Sequence, residues 1–130
     1  MPPLEMVSEF SPAGRLLMDL QLPQGFDSYR AYRFAWAGTP SRPPRVAAQA
    51  RAHGRTAVYA SWNGATGVAG WTVLAGPSAD RLSVVKSAPR EGLETAISAL
   101  TTARYVAVRA NDATGAELAR SAVVRVSGRG

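Results

Sequence analysis

The chain has 130 residues, 46% of them hydrophobic, with no cysteine and fifteen basic against nine acidic side chains, a net charge of +6. That length fits one domain with an appendage, and the lack of cysteine excludes disulfides, thiolate nucleophiles and cysteine-ligated zinc. No apolar run is long enough to cross a bilayer, so no transmembrane segment is expected, and MPPLEMVSEF lacks the basic start and long apolar stretch of a secretory signal peptide.

In chain order, residues 4–22 read as a hairpin: LEMVSEF is one strand, SPAG the turn and RLLMDLQL the return. Pro12 suits the turn position that wants φ near −65°, and Gly14 suits the end of the turn, where φ is often positive. PQGFDS is a loop, and SYRAYRFAW, residues 28–36, reads as a third strand with Arg30, Tyr32, Phe34 and Trp36 on one face. Residues 1–37 thus form a β-rich segment. Residues 38–45, GTPSRPPR, hold three prolines, which remove ladder donors and favour extended chain. They are predicted to be a linker.

Residues 46–127 carry seven candidate strands, near 46–51, 56–62, 69–75, 81–87, 93–98, 104–110 and 117–126, each bounded by turn residues. Such spacing predicts an all-β antiparallel sandwich. Trp62 closes one strand after Val58 and Ala60, and Trp71 opens the next before Val73 and Ala75, with Asn63-Gly64 supplying the tight turn between them. Trp62, Trp71, Val58, Val73, Val106 and Val108 are therefore the expected core. GLETAISAL also has helical spacing through Leu93, Ala96, Ile97 and Leu100, but strand is preferred because it completes the sandwich.

Candidate chemistry is sparse. His53, the only histidine, sits beside Gly54 and reads as an exposed turn residue rather than a base. Asp112 in NDATG lacks the alternating acids of a calcium loop and reads as a β-turn. Glu91 and Glu94 would fall on opposite faces of a strand, so they do not form a paired acid and base. No GxGxxG, phosphate loop or GxSxG is present. No catalytic residue, metal site or cofactor is expected. The arginines are scattered singly from Arg15 to Arg129, which argues for solvated faces over specific nucleic-acid binding. Tyr29, Tyr32, Phe34 and Trp36 could stack on sugars, but burial against a neighbouring sheet is the expected role; Tyr32, Phe34 and Trp36 are the candidate docking surface.

The strings SEFSPAGRLLMDLQLP, SYRAYRFAW, TAVYASWNGATGVAGWTVLAG and RYVAVRANDATG together resemble the C-terminal end of bacterial arylsulfotransferase-family proteins, over about Glu5 to Val126. The resemblance implies a propeller that transfers a sulfuryl group between phenols through a histidine carrier, with its last strands running into SYRAYRFAW and a small immunoglobulin-like or fibronectin type III-like domain after them. It implies that this chain holds only those final strands and the appended domain, with a β-propeller domain as partner and a secreted or cell-surface location; the uncovered apolar face and open edges of residues 1–37 point separately to packing on the sandwich or to a second copy of the chain as partner. His53 matches no catalytic histidine of that pattern. Tyr105 falls one residue out of phase with Val106, Val108 and Ala110, unlike the usual sixth strand of a fibronectin type III domain. A non-catalytic accessory or interaction domain is the expected function. A module for glycans or cell-surface polymers, or part of a sulfotransferase whose propeller is absent here, are the alternatives.

Overall fold

In the computed structural model, which describes residues 6–26 and 28–128, every helix or strand assigned among those residues is a strand. The chain divides into two compact units, Met1–Ala35 and Trp36–Gly130. The first unit holds β1 (Met6–Phe10) and β2 (Leu16–Gln21), an antiparallel pair running from Met6↔Gln21 to Phe10↔Leu16. The expected start of β1 at Leu4 and Glu5 lies outside the described residues, as does Asp27 of the following loop. The SPAG turn closes through Gly14 N donating to Ser11 O at 2.9 Å, with Gly14 at φ +78°.

Residues 28–36 depart from expectation, because they form no strand. Alternation alone does not make a strand; a ladder partner must satisfy its backbone groups, and the described part of the first unit pairs only β1 with β2. Local contacts hold the segment instead. Arg30 Nη1 donates to the Tyr32 hydroxyl at 3.0 Å, Tyr32 stacks on Phe34 with centroids 6.0 Å apart, and Arg33 is hydrogen-bonded to the Glu9 carboxylate.

The second unit is an antiparallel sandwich. One sheet has β3 (Arg45–Arg51), β4 (Arg55–Ser61) and β7 (Glu94–Leu100) in the order β3-β4-β7. The other has β5 (Gly70–Ser78), β6 (Arg81–Pro89), β8 (Tyr105–Asn111), β9 (Glu117–Arg120) and β10 (Val124–Arg125), with β8 central between β5 and the last two strands. Every second residue of each inner strand points to a shared core: Val58 and Ala60, Ile97 and Ala99, Val73 and Ala75, Val106, Val108 and Ala110. Trp62 and Trp71 join it at 8% and 2% exposure. β7 settles the strand-or-helix question. Thr95, Ile97 and Ala99 are buried in strict alternation, while Leu93, Ala96 and Leu100, which a helix would have grouped with Ile97, are exposed. Tyr105 lies partly exposed beside the buried Val106.

Gly76 marks the tightest point of the second sheet. A Cβ built there would sit 1.7 Å from Arg81 O, next to the irregular register that joins β5 to β6. Only glycine lets the two backbones approach this closely.

The expected last strand, 117–126, is two strands. Ser121 ends β9 by accepting the Val108 N–H on its hydroxyl at 2.9 Å. The chain resumes as β10 on Val106 and Tyr105, and then Ser127 bonds both ways with β3, donating to Ala48 O at 2.9 Å and accepting from Ala50 N at 2.8 Å. The tail thereby links the edges of both sheets.

Residues 38–45, expected to be a linker, lie against the sandwich within the second unit. Gly38 and Thr66 exchange hydrogen bonds at 2.9 and 3.1 Å, Pro44 is buried, and Arg45 opens β3. The cause is Trp62. Its indole sits in the core edge and its N–H needs an acceptor, which Arg42 O provides at 2.7 Å.

Trp71→Ala empties a site at the centre of this core and is expected to lower unfolding free energy by about 3–5 kcal/mol, measured by chemical denaturation. A loss below about 1 kcal/mol, the scale of a surface substitution, would show that Trp71 does not pack between the sheets.

Candidate functional site

Among the recesses on the sandwich, two collect polar side chains from separate elements. The first is open, about 580 Å³, at one end of the larger sheet between Gly70, Ser87, Pro89, Asn111 and Asp112. The outer sheet face beside it carries a hydrogen-bonded row: Asn111 Nδ2 donates to Thr72 Oγ1 at 2.7 Å, and Thr72 Oγ1 is 3.1 Å from Ser87 Oγ. Asn111 Oδ1 and Arg109 Nε are buried there with no hydrogen-bond partner among the described residues. Such groups are destabilising by about 1–3 kcal/mol each when left unpaired. Both are closed off from solvent, so an occupant of the recess reaches them only after a side-chain rotation.

On the rim, Asp112 Oδ1 accepts from Thr114 N at 2.8 Å, Thr114 Oγ1 at 2.7 Å and Ala116 N at 3.0 Å. These bonds, the Thr114 hydroxyl foremost, stabilise the carboxylate and hold the Asp112 carboxyl below its usual 3.8. The loop is thus a turn built on one aspartate.

The second recess, about 590 Å³, is lined by the 40–45 segment and the end of β4. Trp62 forms one wall, and its bond to Arg42 O fixes the opposite one. Ser41, Arg42, Arg45, Ser61 and Asn63 all line it, and none of their side chains has a hydrogen-bond or ion-pair partner among the described residues. Its lining residues include two arginines and no acidic residue. A third, mainly apolar recess of about 390 Å³ shares Arg42, Pro43 and Arg45 with it and continues over Pro44, Val46 and Val124.

The residues singled out in the sequence go elsewhere. Trp62, Trp71, Val58, Val73, Val106 and Val108 are buried in the core. Tyr32, Phe34 and Trp36 are 67%, 78% and 78% exposed, with Tyr32 and Phe34 in the first unit and Trp36 opening the second. His53 is exposed in the β3–β4 turn at φ +58°. Glu91 precedes β7, where its backbone exchanges hydrogen bonds with the Thr95 hydroxyl, and Glu94 begins the strand. Among the described residues no group of three or more His, Cys, Asp or Glu stands together as metal ligands, and no helix is long and apolar enough to cross a membrane. Reading residues 38–45 as a linker gives Arg42 and Arg45 no role. The usable signal was their spacing: around Pro43-Pro44, extended polyproline chain has three residues per turn and returns i and i+3 to one side.

No protein-family model matches the chain, and neither a curated protein nor a solved structure is detectably similar to it. The arylsulfotransferase resemblance rests on the motifs quoted above.

Thr114→Ala is expected to move the Asp112 carboxyl up toward 3.8, followed by NMR titration. The sign for stability follows from linkage: a carboxyl lowered in the folded state stabilises the fold above its ordinary value, and that contribution is lost as pH falls through the lowered one. The variant should therefore show a shallower acid loss of stability. An unchanged Asp112 titration would remove the Thr114 hydroxyl as the cause.

Proposed function

We propose that this chain is a non-catalytic interaction module, an accessory domain of an arylsulfotransferase-like protein, in which the first unit is the docking element. The observation that carries this reading is the state of β2. Leu16, Leu17, Met18 and Leu20 are each 45–51% exposed, on both faces of the hairpin, and Phe10 and Phe26 are exposed beyond them. A two-stranded hairpin is marginal alone, and open strand edges with uncovered apolar side chains favour association. The partner is a β-propeller domain, as the resemblance implies, or a second copy of the chain.

The sandwich supports the fibronectin type III-like form of the resemblance. Its fourth strand, β6, pairs with the third, β5, whereas the constant-type immunoglobulin arrangement places the fourth strand beside the fifth.

The test is solution mass as a function of concentration, alone and with a separately expressed arylsulfotransferase propeller. The chain should either self-associate or bind the propeller. Leu17→Lys with Leu20→Lys, one on each hairpin face, should abolish that association while leaving the melting of the sandwich unchanged. A strict monomer that ignores the propeller, with rapid tryptic loss of the first unit at Arg30 and Arg33, overturns the docking reading.

The same reading predicts no sulfuryl transfer from a phenolic sulfate donor by the purified chain. Turnover that disappears in His53→Ala would establish the enzymatic alternative.

A glycan-binding reading is favoured by one observation, the stacked and exposed Tyr32–Phe34 pair beside Tyr29, which is itself 90% exposed. Sugar-induced quenching of aromatic fluorescence that is lost in Tyr32→Ala would support it over docking.

A further inference from the structure

The strongest unassigned feature is the recess between the 40–45 segment and the end of β4. We propose that it binds an oxyanion carrying an apolar group, with Arg42 and Arg45 holding the anion and the neighbouring apolar recess holding the rest.

The anion half follows from charge and hydrogen-bonding capacity. Two arginines line the cavity with no ion-pair partner among the described residues, and arginine presents a planar fork of donors that matches a carboxylate or phosphate in bidentate fashion. Ser41, Ser61 and Asn63 add further donors on the same lining that have no partner among the described residues. The nearest carboxylate in register is Glu94, opposite Ser61, which is in turn opposite Arg45. That places its backbone two strand spacings from that of Arg45, about 10 Å, and Glu94 makes no ion pair with either arginine.

The site is built rather than merely basic. Of the other exposed arginines on the sandwich, Arg51, Arg55 and Arg120 have partners in the Tyr59 hydroxyl, Ser98 and Glu117, while Arg81, Arg104 and Arg125, like Arg42 and Arg45, have none among the described residues. Arg42 sits on a backbone fixed by a buried tryptophan, at a 2.7 Å bond. Pro43 and Pro44 restrict the chain between the two arginines. Little conformational freedom of that backbone remains to be lost on binding.

The apolar half follows from adjacency, since the two recesses have Arg42, Pro43 and Arg45 in common. The recess over Pro43, Pro44, Val46, Ala122 and Val124 shares the Arg42 and Arg45 walls. An alkyl chain entering there removes apolar surface from water while its head group stays on the arginines.

Carboxylates of rising chain length test both halves: acetate, butyrate and hexanoate, titrated by NMR against the full chain at constant ionic strength. Each added methylene is expected to tighten binding by up to about fourfold, added chloride to weaken it, and Arg42→Gln with Arg45→Gln to abolish it without changing the melting temperature. N-acetyl-leucine and its amide distinguish the source. Binding of the acid but not the amide points to a peptide C-terminus, and hexanoate alone to a free fatty acid; either supports the site. Equal affinity for acetate and hexanoate, binding that survives the double variant, or no binding by any carboxylate overturns the proposal. These outcomes are independent of hairpin docking, since Leu17→Lys with Leu20→Lys should bind hexanoate as the parent chain does.

Discussion

The second unit depends on one constraint: two sheets must bury their inner faces against each other at a separation of about 10 Å. Two indoles fit into such a gap only where their neighbours are small. The core supplies this with Ala48, Ala60, Ala75, Ala99 and Ala110 among valines and one isoleucine. Trp71 is enclosed completely enough that its indole nitrogen is buried without a partner. Trp62 sits nearer the edge, where its nitrogen can reach a carbonyl. That difference has a structural consequence, because the carbonyl belongs to Arg42. The bond holds the proline-rich segment on the sandwich, where it lines a recess with two arginines that have no side-chain partner among the described residues. Core packing and the candidate ligand site are therefore coupled through one hydrogen bond.

A second coupling runs through the C-terminal tail. β9 and β10 both lie on β8 but do not form one strand, because the Ser121 hydroxyl takes the Val108 N–H and turns the chain. The residues that follow exchange hydrogen bonds with β3 of the other sheet. Val126, just before that crossing, is buried in the core. The tail thus satisfies backbone groups on edge strand β3 that would otherwise be open to another chain.

The first unit contrasts with this at every level. Its hairpin has a well-formed turn and a cross-strand bond from Ser8 to Asp19 at 2.6 Å, yet β2 buries no side chain. Turn chemistry and local pairing are enough to shape a hairpin, while its stability is normally drawn from a covered apolar face. Leu16, Leu17 and Leu20 of that strand are left exposed.

How far the sequence could be read depended on whether a feature was set by neighbours in the chain or by neighbours in space. The alternation of Val58, Ala60 and Trp62, and of Trp71, Val73 and Ala75, specified inward faces, because side chains on a strand point to opposite sides in turn. Gly14 and Gly64 marked turns because both take positive φ. The sandwich and its core were legible for these local reasons. The same alternation in residues 28–36 was misleading, since a strand also needs a partner and none is supplied among the described residues of that unit. The break at Ser121, the docking of residues 38–45 and the unpaired state of Arg42 and Arg45 were not legible either. Each depends on one interaction or its absence between residues distant in the chain: Ser121 with Val108, Trp62 with Arg42, and Arg45 with no ion-pair partner among the described residues. By itself the sequence determined which residues face inward and where the chain turns. Only the tertiary structure decided which polar groups found partners and which were left free to bind something else, because pairing over such separations is set by how the two sheets pack.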